Sequence, residues 1–261
     1  MILSITVGFD MSAGSRNAVD FAVMEAKAHD SLLRVVSCLE VPITAGDPCM
    51  TVEELAERRV TAAKGQFDLA KALLDETPAL KLDLHLVDGP ARKVLREESQ
   101  HSDLVVVGRE GVPRALPWLV GSTARSLSRH SHCPIAIVPS TWAATTPSRV
   151  VVGVEQGRQS TATLAFATGL AEANQATLVV IGETESDAVS FARSYHNGPL
   201  ESLPAHGNVI GALIGAATPD DIIVLGTRHH GRFAASLFGA DTDPIVERTI
   251  VPVVVVPEVN R

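Results

Sequence analysis

Gly108-Arg109-Glu110-Gly111, nine further residues, and then Gly121-Ser122-Thr123 assemble residue types that can hold a phosphate without a lysine or a metal. Glycine at a strand end can take positive φ and lets a ligand approach the backbone with no Cβ in the way. A helix opening at Gly121, with Ser122 or Thr123 expected as its cap, would present unpaired N–H groups and the positive end of a helix dipole. Arg109 and Arg114 are expected either to add charge to this cradle or to stand solvated in the loop. Asp10, which closes Val7-Gly8-Phe9-Asp10, is either a binding carboxylate or a turn acid that caps its neighbours.

The elements that must position these residues follow from hydrophobic pattern. Leu104-Val105-Val106-Val107, directly before Gly108, is apolar without alternation, as in strands buried on both faces of a parallel sheet. Further strands are expected at Leu3–Phe9, Leu33–Leu39, Leu82–Val87 and Ile135–Val138. Helices are expected at Ser15–His29, Val52–Leu74, Ala91–Gln100 and after Gly121. Alternating strands and helices favour right-handed βαβ units and a doubly wound parallel sheet, with ligands at the carboxyl ends of strands where the winding reverses. Asp10 and Gly108 both fall at such ends.

The pattern then repeats. Val150-Val151-Val152-Gly153-Val154-Glu155 repeats the opening strand at a shift of 145, and Asp221 to Gly226 repeats Asp103 to Gly108 at a shift of 118. Gly207, Gly239 and Pro252 answer Gly89, Gly121 and Pro134 at the second shift. The shifts differ by 27 residues, a loss that falls on the counterpart of the long helix, for which only a stretch around Ala188 to Tyr195 remains. Two domains are expected, 1–140 and 149–261, joined by a Ser, Thr, Ala and Pro linker that carries Trp142. The shortened helix is expected to leave one face of the second sheet thinly covered. The closing strands, Ile135–Val138 and Val253–Val256, are strongly β-forming and expected at sheet edges, which need a partner.

The Gly108 motif, Val7-Gly8-Phe9-Asp10 with Ser12, and Cys133-Pro134-Ile135-Ala136-Ile137-Val138-Pro139 together resemble the ATP-binding branch of the universal stress protein family. The resemblance implies an α/β fold of two tandem doubly wound domains, each a five-stranded mainly parallel sheet, the second shortened. It implies ATP in the first domain, with magnesium as an accompanying ion, and a nucleotide-dependent role in stress or energy-state signalling. On the matching positions it assigns Asp10 to adenosine, the backbone at Val41 to the adenine edge, and Gly89 to the ribose or base. Gly108, Gly111, Gly121, Ser122 and Thr123 become the ribose and phosphate cradle. It also implies that the two closing strands meet within the chain as a pseudo-dimer, with further homodimerisation left open. The second copy departs from the pattern: His229 stands for Gly111, Ala240 for Ser122, Asp241 and Asp243 for Thr123 and Arg125, and Glu155 for Asp10. Carboxylates at a helix start satisfy its amides and repel phosphate, so this domain is expected to bind no ATP. His229 and His230 near Asp241 lack a third well-spaced ligand and are expected in a solvated loop.

Composition bounds the remaining classes. A formal charge of −8 with no basic run argues against nucleic acid or anionic membrane as partner. No apolar stretch is long enough for a membrane span, and the N-terminus lacks a basic leader pattern. Cys38, Cys49 and Cys133 are widely spaced and odd in number, which fits a reducing cytoplasm; Cys38 and Cys133 are expected as small core residues. No Walker lysine motif, nucleophile elbow or spaced acid and base pair is present. The chain is therefore expected to be a binding module that also meets an unidentified protein partner. A slow magnesium-dependent ATPase and a nucleotide-free scaffold are the alternatives.

Overall fold

A computed structural model describes residues 2–40, 43–44, 47–48, 51–110, 121–154, 161–182, 187–205, 209–227 and 245–257. The first half runs β1 (Ser4–Gly8), α1 (Ala13–His29), β2 (Leu32–Leu39), a short hairpin of β3 (Ile43–Thr44) and β4 (Asp47–Pro48), α2 (Val52–Glu76), β5 (Lys81–Asp88), α3 (Ala91–Glu98), β6 (Leu104–Gly108), α4 (Ser122–His130) and β7 (Ile135–Val138). The second half repeats the scheme as β8 (Arg149–Gly153), α5 (Thr161–Asn174), β9 (Thr177–Gly182), α6 (Asp187–Tyr195), β10 (Leu200–Pro204), α7 (Val209–Ala216), β11 (Asp221–Thr227), α8 (Ile245–Arg248) and β12 (Val253–Pro257).

Local chemistry sets the element ends. Ser12 caps α1 by accepting from the Ser15 amide, and Asp30 ends it in the left-handed region. Thr51 and Glu54 form a reciprocal capping box at the start of α2, which satisfies two orphan donors at once. The repeat is visible in its side chains too. Asp103 accepts from the Leu3 and Ser4 amides where β1 begins. Its counterpart Asp221 takes the Arg149 guanidinium in a two-pronged pair where β8 begins.

All strands except the small hairpin form one ten-stranded sheet, ordered β10-β9-β8-β11-β12-β7-β6-β1-β2-β5. Each half is parallel inside, in the same internal order, and winding reverses beside β1 and β8. The halves join through β7 and β12, which pair antiparallel with Val253 opposite Ile137, Val254 opposite Ala136 and Val255 opposite Ile135. Ala136 and Val254 occupy equivalent places in the two copies, so a pseudo-twofold axis passes between them. Both expected edges are thereby removed.

One apolar layer lies on each face, and each runs unbroken through both halves. The first contains Val7, Leu33 and Val35 with Val152, Leu178 and Val180; the second contains Val105, Ile135 and Ile137 with Val179, Ile223 and Val253. Each such side chain contributes about 1.5–3 kcal/mol when buried. The linker is fastened to the first layer. The Asn17 amide donates to the carbonyls of Pro139, Ser140 and Trp142, and buried Trp142 meets Phe21 edge-on with ring centres 5.8 Å apart.

The shortened copy behaves differently from the expectation of a thin face. α6 has 9 residues where α2 has 25, yet β9 is buried from Leu178 onward, because α5 and α7 pack against it while α6 packs on α5 and β10. β10 is shorter than β5, and both of these end strands are only partly covered.

Where α1 and α5 meet, Glu25 is fully buried. Asn174 Nδ2 donates to its carboxylate at 3.2 and 3.3 Å, and His29 Nε2 lies 3.6 Å away. A buried carboxylate left without its donor carries most of its desolvation cost. Asn174→Ala should therefore lower stability by about 2–3 kcal/mol. Adding Glu25→Gln, which removes the charge, should recover part of that loss; urea unfolding of the two single variants and the double variant measures the coupling.

Candidate functional site

The carboxyl ends of β1, β2, β5 and β6 meet on one side of the first half. A cavity of about 520 Å³ opens there, lined by Phe9, Asp10 and Met11 after β1, Ser37, Cys38 and Leu39 of β2, and Glu54, Glu57, Arg58, Thr61 and Ala62 of α2. That volume falls within the usual range for small-molecule sites. Ser37 Oγ donates to the Phe9 carbonyl and ties the two strand ends together. Met11 follows Asp10 with φ of +65°, an uncommon conformation for a side chain of this size. It turns the chain sharply into α1, and its sulfur packs against Gly65 of α2, where a Cβ would stand 2.6 Å from it.

The candidate residues divide by what the structure asks of them. Asp10 lines the cavity, is exposed, and accepts from the Ser12 amide through Oδ1 at 3.0 Å. It closes its own turn and still presents its carboxylate to the opening. Gly89 has φ of +130°, and its amide donates to the Leu39 carbonyl. Only glycine adopts that turn readily, and the turn sets the end of β5 beside the end of β2.

Gly108 departs from the expectation. It does not have positive φ. A Cβ there would lie 2.6 Å from the Gly14 backbone, and one on Gly14 would lie 2.4 Å from the Glu110 carbonyl. The close approach served by Gly108 is that of α1 to β6. Val41 and Gly111 lie outside the described residues, as do Arg114, Cys49, Glu155, Gly207, His229, His230, Gly239, Ala240, Asp241 and Asp243.

The helix start also differs. The N-cap of α4 is Gly121, and no side chain caps it. Ser122 and Thr123 are inside the first turn, so neither acts as the cap. Gly121 has ordinary φ of −59°, and its amide donates to the Arg109 carbonyl at 2.8 Å. The amides that follow in the first turn of α4 have no intrahelical acceptor.

Arg109 neither lines a cradle nor stands in solvent. It is buried, and Nη1 donates to the carbonyls of Thr249 at 2.8 Å and Val246 at 3.2 Å, at the end of α8 in the other half. Its Nε donates to Glu110, whose other oxygen accepts from the Ser140 amide. The two residues between the glycines, Arg109 and Glu110, thus fasten the start of α4, the linker and the second half at one point. Lining from α2 was not anticipated from the sequence. Glu54, Arg58 and Thr61 recur at helical spacing near the start of that helix, and this is the signal that could have drawn attention to them.

The charges in the cavity are uneven. Asp10, Glu54 and Glu57 face a single cation, Arg58. Among the described residues no three His, Cys, Asp or Glu side chains gather as a metal site. Cys38 is half-buried and lines the cavity, whereas Cys133 is a core residue; both are free thiols. Burial first, and then the charges of Glu98 and Glu40, push the Cys38 thiol up to about 12.

A doubly wound α/β protein with a ligand-sized cleft at the strand ends is the class that fold and site define. Residues 1–139 match the profile of the universal stress protein family, and the chain belongs to that family. It is 29% identical over 181 residues to a universal stress protein of Mycobacterium tuberculosis; that alignment takes in 69% of this chain and 64% of the relative, less than two thirds of the relative's length. A universal stress protein of Mycolicibacterium smegmatis is 27% identical over 282 aligned positions, covering 97% of this chain and 96% of that one. The solved structure of a universal stress protein from Archaeoglobus fulgidus superposes with a TM-score of 0.70 over 97% of this chain and 98% of that chain, at 15% identity. The two share the fold throughout. No helix among the described residues is long and apolar enough to cross a membrane.

Two outcomes test this geometry. Arg109→Ala leaves two buried carbonyls without this donor and one oxygen of the Glu110 carboxylate without its cation, and should cost about 2–4 kcal/mol in chemical denaturation. Cys38 needs its thiolate to react. With an ordinary free thiol near 8.5, its iodoacetamide labelling at neutral pH should run about a thousandfold slower than that of a free cysteine. Its rate should still be rising above pH 10, as peptide mapping by mass spectrometry would follow.

Proposed function

We propose that the first half binds an adenine nucleotide, ATP in the first instance, and that the protein acts as a nucleotide-dependent signalling module and not as an enzyme. The observation that carries the reading is the pairing of the acidic cavity beside Asp10 with the uncapped start of α4 at Gly121. Three carboxylates against one guanidinium repel a polyphosphate but accept hydrogen bonds from ribose hydroxyls and an exocyclic amine. The nucleoside therefore takes the cavity. Phosphates are directed to the next strand end, where the amides of α4 and its dipole favour an anion. Asp10 contacts the ribose, Gly89 shapes the wall at the end of β5, and Ser122 and Thr123 supply donors beside Gly121, whose own amide stays on the Arg109 carbonyl. Gly108 keeps its place by packing, Val41 is assigned to the adenine edge, and Gly111 to the ribose and phosphate cradle.

The nucleotide alters an interaction only if it binds one conformation better than another. Arg109 gives that difference a route, since it sits at the head of the glycine motif and holds the second half. The second half itself, with Asp241 and Asp243 in place of Thr123 and Arg125, is proposed to bind no ATP. Free Cys38 and Cys133 fit a reducing cytoplasm. Magnesium is an accompanying ion of the nucleotide in this reading. A nucleotide-free scaffold is the second reading, favoured by the complete structural roles that Gly108 and the turn-closing oxygen of Asp10 already have.

Gly121→Asp separates the two. An aspartate at this cap suits the extended backbone, satisfies the helix amides, and stabilises the helix by roughly 0.3 kcal/mol. It also sets a negative charge where phosphate would bind. Nucleotide released from denatured wild-type protein should be about one per chain, should be lost from Gly121→Asp while thermal stability is kept or raised, and should also be lost from Gly111→Val. Wild-type protein that neither carries nor takes up ATP would leave the scaffold. Magnesium-dependent phosphate release would restore the slow ATPase.

A further inference from the structure

The longest helix keeps an apolar seam that stays exposed among the described residues. Nine large apolar side chains stand exposed among the described residues, and four of them lie on α2: Val52, Val60, Phe67 and Leu74, at 81, 68, 67 and 41% exposure. A fifth, Leu84, is on β5, the strand that ends the sheet. Val60, Phe67 and Leu74 recur every seven residues, with exposed Ala56 and Ala63 between them, the spacing of a seam between two helices. α2 covers its own sheet with a different stripe, Gln66, Ala70 and Leu73. Leu84 lies opposite Val35 in the register, on the face that α2 covers.

We infer that this seam is where a second copy of the chain docks, with the two α2 helices antiparallel about a twofold axis. Self-complementarity is what an isologous contact requires, and the seam has it in both shape and charge. When Val60 of one copy is set level with Ala63 of the other, Phe67 falls level with Ala56, so each large side chain meets a small one. In the same register the flanking Glu57 of each copy lies between Lys64 and Lys71 of the other. The two Lys64 side chains approach each other near the axis, and the Glu57 on either side offsets that repulsion. A parallel pair would set Phe67 against Phe67 and Lys64 against Lys64 with no such relief.

The rest of the molecule leaves this surface to the task. The closing strands, which could otherwise pair between copies, are already joined to each other within the chain. The opposite end of the sheet is β10, whose last residue is Pro204, and proline discourages strand addition. Among the described residues the second half has no counterpart of the seam, since α6 has 9 residues. The contact is therefore made once per chain and closes as a dimer. For a contact built on three large side chains per copy, a dissociation constant of about 10–100 µM is expected.

Sedimentation equilibrium on the whole chain tests this, nucleotide-free and with ATP, because the apolar seam lies outside the cavity and only Glu57 borders both. A dimer is expected, and Phe67→Lys should weaken it about tenfold or more with an unchanged circular dichroism spectrum. Orientation is read by oxidising single-cysteine variants against the unmutated chain as control. Ala63→Cys sits close to the axis and should cross-link to its own mate. Leu74→Cys should not, because its two copies would be about 40 Å apart. A chain that stays monomeric well above 100 µM, a dimer indifferent to Phe67→Lys, or cross-linking of Leu74→Cys as ready as that of Ala63→Cys would overturn the inference.

Discussion

Backbone hydrogen bonds between β7 and β12 remove the edge that each five-stranded sheet would otherwise expose, and in doing so they fix almost everything else. An unpaired run of Ile and Val at a sheet edge is an invitation to aggregate. Joined, the two runs set Val254 against Ala136 and place the two copies of the repeat about an axis. Both apolar layers then continue across it. The sheet forces α1 and α5 together as well, which is why the fully buried Glu25 must find its donor on the opposite half. Asn174, the counterpart of His29 in the repeat, supplies it. The halves are thus one folding unit in terms of burial, although the chain writes them as two.

The site inherits that arrangement. Its residues sit at strand ends in the first half, yet Arg109 reaches past them to the last helix of the second. A guanidinium buried among carbonyls is kept only where its donors are satisfied together. Here it satisfies the end of α8, steadies Glu110, and leaves its own carbonyl for Gly121. The same few residues therefore define where α4 begins and where the other half is anchored. Polar groups in the interior serve positioning, and the open cavity keeps the charges that meet solvent.

Much of this was legible in residues. Buried parallel strands announce themselves as unbroken apolar runs, and β1, β2, β6 and the closing strands lie within a residue or two of where the pattern placed them. The shift between copies located the missing helix. What was not legible depended on contacts far apart in sequence. Gly108 reads as a ligand glycine, but its need is set by Gly14, which only folding brings near. Arg109 reads as a loop charge because nothing local reveals that two carbonyls some 140 residues later await it. Gly121 took the cap that Ser122 or Thr123 was expected to hold, since its backbone already bends to the Arg109 carbonyl. The walls given by α2 were missed because that helix reads as cover, and one helix serves cover, cavity and seam on three different sides.

Asn17, with its single amide on three linker carbonyls, has a consequence for how such a chain can change over generations. The geometry of the pair is held by sheet and core, so the covalent connection is not needed to shape it. What the connection adds is ancestry in common: each second half is always born beside an intact first half, never beside a copy of itself. In an assembly of separate subunits, a substitution that spoils the site appears on both sides at once. In this chain it appears on one. Its partner's site is spared, and the sequence of the second half is free to drift as far as the shared sheet allows.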